Sequence, residues 1–362
     1  MKKILSMLLM ITLIFGTLTV LCGLPVSAEA DLTTEVWNPV EITFTSTEKY
    51  DKPYISTEID AVFKHSDGTT ITLPGFWKEG DTWAVRFSPT KTGTWTYEVT
   101  CKDEKNTGLN GSGTIKATAT TSENALNKHG FVKVEKDVHY YMYNDGTPFF
   151  WLADTNWHAP TNVSTEVCNY PGCTCGNQFK HIVDDRVAKG FTVYQTYFVP
   201  GAGNGEKSVW LDSGKYEKPN TDVFNDKVDA MFSYLHEKGM VIALGLGCHN
   251  STMSSSGWDA DTYLRFARYI VARYACYSIV WLSGQEITNK EKAAEKGKTV
   301  FEAYCEMSEK IEELDGYKHP NSALMYPASA TGEMQVILDT SSWHDSWTVQ
   351  GGHGGNAKAK DM

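Results

Sequence analysis

The chain has 362 residues, 41% of them apolar and 12% aromatic, which is enough to build more than one core and excludes a disordered chain. Its formal net charge of −11 argues against a nucleic-acid partner, because such binders carry basic patches that release counterions. A neutral or weakly charged substrate fits this balance better.

In chain order, Lys2 and Lys3 precede an apolar run from Ile4 to Leu24 and then Pro25-Val26-Ser27-Ala28. This is the charged, apolar and small-residue order of a secretory signal over residues 1–30, with cleavage expected near Ala28 or Ala30. The protein is therefore expected to be secreted, with no stable membrane partner. A retained anchor helix is the alternative, since the run is nearly long enough to span a bilayer. Cys22 follows Val20-Leu21 rather than small residues, which speaks against a lipid-modified cysteine.

Residues 31–122 alternate apolar and polar positions in short runs: "VEITFTS", "ISTEIDAVFKH", "TTITLPGFW", "TWAVRFSP" and "GTWTYEVTC". Turn formers such as Asp67-Gly68 and Lys91-Thr92-Gly93 separate them, so an antiparallel β-sandwich is expected. Its strands are contiguous in sequence, and its core is expected to form without the rest of the chain. The stretch "GFWKEGDTWAVRFSPTKTGTWTYEVT" resembles the immunoglobulin-like domain that commonly precedes a glycoside hydrolase barrel in secreted bacterial enzymes. Trp77, Trp83 and Trp95 are assigned to core and turn packing ahead of a sugar platform.

Residues 123–362 change rhythm. A hairpin around Asn144-Asp145-Gly146 leads into strands predicted at Phe149 to Ala153, Thr192 to Phe198, Val241 to Gly247, Ser278 to Ser283, Ala323 to Tyr326 and, more weakly, Val336 to Trp347. Helices are predicted between them at Gln178 to Lys189, Phe224 to Lys238, Ala260 to Tyr277 and Thr299 to Leu314. Such alternation implies a parallel sheet, open or closed into a barrel. The barrel is favoured by the residues at the strand ends: Asp154 and Trp157, Gln195 and Tyr197, His249 and Asn250, Gln285 and Glu286, then His344, Trp347, Gln350 and His353. In a (β/α)8 barrel these positions converge on one pocket, and polar and aromatic side chains of this kind suit a carbohydrate. An open doubly wound sheet would show a glycine-rich phosphate loop, which "WLADTNWH" lacks.

Glu286 ends the apolar run "SIVWLSGQE". Burial beside Trp281 would raise its pKa toward that of a general acid, and Gln285 beside it is suited to hold a sugar hydroxyl. A helix-capping or salt-bridged glutamate is the structural alternative. Together, "FFWLADTNW", "DDRVAKGFTVYQTYF", "IVWLSGQE" and "SWTVQGGHG" resemble, in order and spacing, the strand motifs of the apiosidase-like (β/α)8 glycoside hydrolases, over about Asn127 to Gly355. That resemblance implies a retaining hydrolase with its acid/base carboxylate after the fourth strand, here Glu286, and a nucleophile after the seventh. Only "NAKAKDM" comes after the sixth strand motif, whereas two further βα units need on the order of fifty residues. The barrel is thus expected to be incomplete in this chain, with the nucleophile beyond Met362.

Asp154, Trp157, Gln195, Tyr197, His249, Asn250, Gln285, Trp347, Gln350 and His353 are the expected substrate-binding residues. No cofactor or metal is expected, since His249, His344 and His353 lack any HExxH-like spacing. Seven cysteines remain once Cys22 is removed, and Cys168, Cys173 and Cys175 crowd into "CNYPGCTCG", where a local disulfide, free thiols and a structural metal all stay open. The competing function is a carbohydrate-binding protein that keeps the platform and lacks the chemistry.

Overall fold

The structure, a computed structural model, describes residues 31–165, 167–168, 171–174, 176–198, 208–212, 215–247, 260–282, 284, 299–325 and 333–349. The described residues open with eight strands: β1 (Asp31–Glu35), β2 (Val40–Thr45), β3 (Ile59–His65), β4 (Thr70–Pro74), β5 (Phe76–Glu79), β6 (Thr82–Phe87), β7 (Gly93–Cys101) and β8 (Gly111–Thr118). They form two sheets, ordered β1-β8-β7-β3-β4 and β2-β6-β5. All pairings are antiparallel except β1 with β8, which is parallel and departs from the fully antiparallel expectation.

Alternation builds the core of this region. Ile59, Ala61 and Phe63 of β3 and Trp95, Tyr97 and Val99 of β7 turn inward. Phe63 stacks on Phe87 of the other sheet at 4.0 Å between ring centroids, and Trp95 meets Phe87 at 5.0 Å. Trp83 and Trp95 are buried, and Trp77 donates through Nε1 to the carbonyl of Gly80, so packing accounts for all three.

β6 breaks the alternation, because Trp83 through Phe87 are all buried. A strand covered on both faces needs a second partner, and here it is the helical layer of the next region. One apolar cluster runs without interruption from Phe76, Val85 and Phe87 to Phe224, Tyr269 and Tyr274. Ser88 Oγ donates to the carbonyl of Cys276 at 2.6 Å, and Arg268 reaches Asp60 at 2.7 Å. These contacts join the sandwich core to the helical layer of the next region.

A short antiparallel pair follows, β9 (Val132–Lys133) with β10 (Met142–Tyr143), and after β10 the chain turns again at Gly146, whose φ of 91° suits glycine, to bridge Met142 with Pro148. Six parallel strands come next: β11 (Ala153–Thr155), β12 (Val193–Tyr197), β13 (Val241–Gly245), β14 (Ile279–Trp281), β15 (Ser322–Met325) and β16 (Ser346–Val349). Strands β11 to β14 are neighbours in sequence order, β15 pairs with β16, and a bridge between Trp281 and Asn321 joins the two groups. Helices α1 (Gln178–Ala188), α2 (Asp229–Glu237), α3 (Ala260–Tyr274), α4 (Val300–Leu314) and α5 (Glu333–Thr340) lie between successive strands.

Local chemistry explains these boundaries. Asn177 caps α1 by accepting from Lys180 N, and Thr299 with Glu302 forms a capping box at α4. The segment predicted as one helix from Phe224 opens instead as a π-helical turn over Val223–Val228 before α2. The weak strand expected from Val336 is a helix, α5, and the strand begins only at Ser346. Its β-branched residues misled the reading: Leu338 is buried while Val336 stays 60% exposed, one face covered and one open.

Candidate active site

Parity along the parallel strands decides which side chains can meet. Val193, Tyr197, Val241, Ala243, Val280, Leu282 and Leu324 form one interior cluster, while Tyr194, Ile242, Leu244, Ile279 and Ala323 face the helices. Gln195 shares the interior parity of Val193 and Tyr197. At the carboxyl end of β12, Trp157 stacks on Tyr197 with 4.7 Å between ring centroids and 28° between planes. Gln195 Nε2 donates to Tyr197 Oη at 3.3 Å, and Tyr197 N donates to the carbonyl of Trp157 at 3.3 Å. Three of the predicted site residues therefore come together as one aromatic and amide surface, with Trp157 and Gln195 partly exposed.

Glycines make this end of the sheet possible. Gly245 lies opposite Tyr197 in register, and a Cβ there would fall 1.9 Å from Tyr197 Cδ1. Gly247, at φ 146°, leaves room for the hydroxyls of Tyr263 and Tyr304, which lie 3.3 Å apart. The ring of Tyr304 also packs against Gly284, the residue that precedes Gln285 and Glu286. Sequence reading missed these two buried tyrosines because they sit on α3 and α4, where their spacing reads as ordinary core.

Two other predicted residues lie elsewhere. Asp154 is in register with Tyr194, on the helix-facing side, and forms an ion pair with Arg186 of α1. Burial, reinforced by the Asp154 charge, pushes the Tyr194 phenol well above its ordinary pKa. Trp347 is in register with Ala323, again on the helix-facing side, is 42% exposed, and meets the His344 ring at 4.7 Å. His344 precedes β16, so it stands at the amino end of the strand and not at the rim. The interior positions of β16 are Ser346 and Thr348; Thr348 is within 2.6 Å of Ser322 and Ser346 within 2.6 Å of Tyr141. His249, Asn250, Gln285, Glu286, Gln350 and His353 lie outside the described residues.

Two buried charge clusters support the scaffold. The oxygens of Asp229 accept from Arg86, from Arg273 at 2.8 Å and from Tyr274 at 2.9 Å, with Arg86 also bound to Glu41 at 2.8 Å. Burial acts to raise the Asp229 pKa, but the two guanidinium groups outweigh it and hold the carboxyl below its ordinary range. Asp315 likewise stays below that range against its burial, accepting from Trp281 Nε1 and pairing with His319, each at 2.8 Å. Cys276 and Cys305 are buried free thiols pushed up to about 12 by burial, which suits packing and not nucleophilic chemistry. Cys168 and Cys173 are joined by a disulfide, with His181 beside them.

Comparison with known proteins fits this geometry. Residues 33–102 match a family described as a domain of unknown function, DUF5060. A candidate glycoside hydrolase from Bacteroides vulgatus aligns with a TM-score of 0.62 at 19% identity, over 82% of this chain and 56% of its own length. The chain thus spans little more than half of that protein, and the likeness speaks to fold alone. A calcium-binding mutant of beta-glucuronidase 2 from Bacteroides uniformis aligns at a TM-score of 0.39, 13% identity and 88% of this chain against 35% of its own. A beta-mannanase from the blue mussel Mytilus edulis gives 0.37, 11%, 60% and 73% for the same quantities, and neither of these two scores carries an argument. A search of curated proteins finds no match. The family profile described as "Apiosidase-like, catalytic domain" matches residues 135–362, well over half of the chain and all of β11 to β16, and the protein belongs to the apiosidase-like glycoside hydrolases.

Proposed function

We propose that this protein is a secreted, retaining glycoside hydrolase whose residues 31–122 form an immunoglobulin-like domain and whose residues 123–362 form a catalytic domain of the (β/α)8 barrel type. Glu286 serves as acid/base on a plant or microbial polysaccharide. The observation that carries this reading is the Trp157, Tyr197 and Gln195 surface at the carboxyl end of β12 in a chain of this family. Sugar rings present apolar C–H faces that stack on aromatic planes, and their hydroxyls need donors and acceptors such as an amide. Winding in sequence order, without the reversal of a doubly wound sheet, supports the barrel.

In this mechanism Glu286 protonates the leaving oxygen as a nucleophilic carboxylate attacks the anomeric carbon, then deprotonates the water that releases the sugar. Glu286→Gln in the full-length protein tests it. Turnover on substrates with poor leaving groups is expected to fall by roughly 10²–10⁴-fold, and much less on activated aryl glycosides, which need no protonation. Equal losses on both would remove Glu286 from the acid/base role. Binding of glycans with no turnover by the parent protein would favour a carbohydrate-binding function instead.

A further inference from the structure

We propose that a cleft of about 290 Å³ between the β-rich region and the amino end of β15 binds one hexuronic acid unit, a sugar ring that carries a carboxylate. Its lining comes from both halves of the chain. Thr69 and Thr70 at the start of β4 and Thr90 after β6 contribute from one side, Lys133 of β9 and residues 316–319 from the other. Residues 316–319 precede β15, so the cleft lies at the opposite end of the parallel strands from the Trp157 and Tyr197 surface. Its volume stands at the lower edge of the range for small-molecule sites, which fits a single ring and not a chain. Packing sets its shape: a Cβ at Gly316 would fall 2.3 Å from the carbonyl oxygen of Thr72. Phe131 lies 4.9 Å from Trp37 and 5.6 Å from Tyr317 between ring centroids, and all three rings line the cleft.

Charge and hydrogen-bonding capacity select the ligand. Among the described residues no carboxylate lines the cleft, although the chain carries a net charge of −11, whereas Lys91, Lys133 and Lys318 all do. Each ammonium pairs with a carboxylate outside the lining: Lys91 with Asp67 at 2.9 Å, Lys133 with Glu135 at 2.5 Å and Lys318 with Glu312 at 3.3 Å. Exposed pairs of this kind are weak, so the ammonium groups can turn to a ligand carboxylate. His319 supplies the buried group. It is 2% exposed, and its Nδ1 lies 2.8 Å from Asp315 Oδ2, so the neutral ring carries its proton there and leaves Nε2 to accept. Nε2 has no hydrogen-bond partner among the described residues. A buried acceptor without a donor is costly, and a sugar hydroxyl would supply one. The hydroxyls of Thr70 and Thr90 and the amide of Asn144 add neutral donors and acceptors. Ammonium groups beside so many neutral polar groups suit a ring with one carboxylate and several hydroxyls.

Binding is read by calorimetric titration of the full chain with glucuronate, galacturonate, glucose, galactose and inorganic phosphate. Turnover is not involved, so the outcome does not depend on the hydrolase mechanism. At least one uronate is expected to bind with a Kd of about 1 mM, the range for a ligand of this size. The matching neutral sugar and phosphate should each bind at least about tenfold more weakly, since each lacks one of the two chemistries. Lys133→Met combined with Lys318→Asn should weaken the uronate about tenfold; asparagine tolerates the φ of 57° at position 318. His319→Asn keeps an amide donor for Asp315 and removes Nε2, and should weaken the uronate by a similar factor. Thermal unfolding without ligand separates lost binding from lost folding, and the lysine pair decides if His319→Asn does not fold. Three results overturn the site: no uronate binding, phosphate or the neutral sugar bound as tightly, or affinity that survives the cleft variants and falls in Trp157→Ala, which would place the uronate at the rim.

Discussion

The side of the parallel sheet that meets the β-rich region and the rim at its carboxyl end use the same kinds of side chain to opposite effect. Toward the β-rich region, Asp229 takes donors on both oxygens, and Arg273, fully buried, lies 4.5 Å from the centroid of the Phe76 ring. At the rim, Trp157 and Gln195 remain partly exposed, and both meet the side chain of Tyr197. Buried charge that is paired with opposite charge is not open to a solute, whereas an open ring face beside an amide is. Pairing, and not residue type, separates the structural cluster from the candidate site.

The largest test of that contrast is Asp229→Ala. It leaves Arg86 and Arg273 buried without their shared carboxylate, and the expected loss is about 3–5 kcal/mol in urea unfolding. A loss below about 1 kcal/mol would mean the two guanidinium groups find other partners or water. Gly245→Ala comes next, since its methyl group would displace the Tyr197 ring from Trp157. About 1–3 kcal/mol of stability is expected to go, with glycan binding weakened as well.

A third test uses pH and isolates one group. Burial lowers the His236 imidazole to about 4, against about 6.5 for an unfolded histidine. Proton uptake sets the sign: below pH 6.5 the unfolded chain binds a proton that the folded chain refuses. The contribution of His236 is thus complete above 6.5 and is lost as pH falls toward 4. Between pH 7 and 5 His236 should account for a loss of about 2 kcal/mol, and His236→Gln should remove that part of the slope, leaving the share of the His344 imidazole, which burial also lowers. Asp229 and Asp315, with depressed pKa values, lose their contributions only at lower pH, as the pH passes down through the range of ordinary carboxylates and below.

Much of the fold was legible in the sequence, and for identifiable reasons. The strand predicted from Thr192 to Phe198 is observed at Val193–Tyr197, and Thr299 to Leu314 at Val300–Leu314, because long periodic runs with a capping box leave little choice. The strand expected at Phe149 to Ala153 is observed at Ala153–Thr155, since Phe149 and Trp151 pack on the hairpin before ladder pairing begins. β1 and β8 went unread, and their parallel pairing joins segments that no local pattern could connect. Trp157, Gln195 and Tyr197, read from the sequence as residues at strand ends, lie together at the carboxyl end of β12. Asp154 and Trp347 have the same local signature, but register assigns them to the other face, and register depends on neighbours that a single sequence does not reveal.

That last distinction yields the smallest and most selective test. Trp157 and Trp347 are both partly exposed tryptophans at strands of the same parallel series, and residue type alone treats them alike. Trp157 lies over Tyr197 on the interior side, where a sugar face could continue the stack; Trp347 shares its side with Ala323 and packs on His344. Trp157→Ala is expected to weaken oligosaccharide binding about tenfold, close to 1.4 kcal/mol, in calorimetric titration of the Glu286→Gln protein. Trp347→Ala should leave affinity within about twofold of the parent, because the ring it removes faces the helices. Equal weakening by both variants would mean that the ligand reaches around the edge of β16, and the interior surface would then be only part of the binding site.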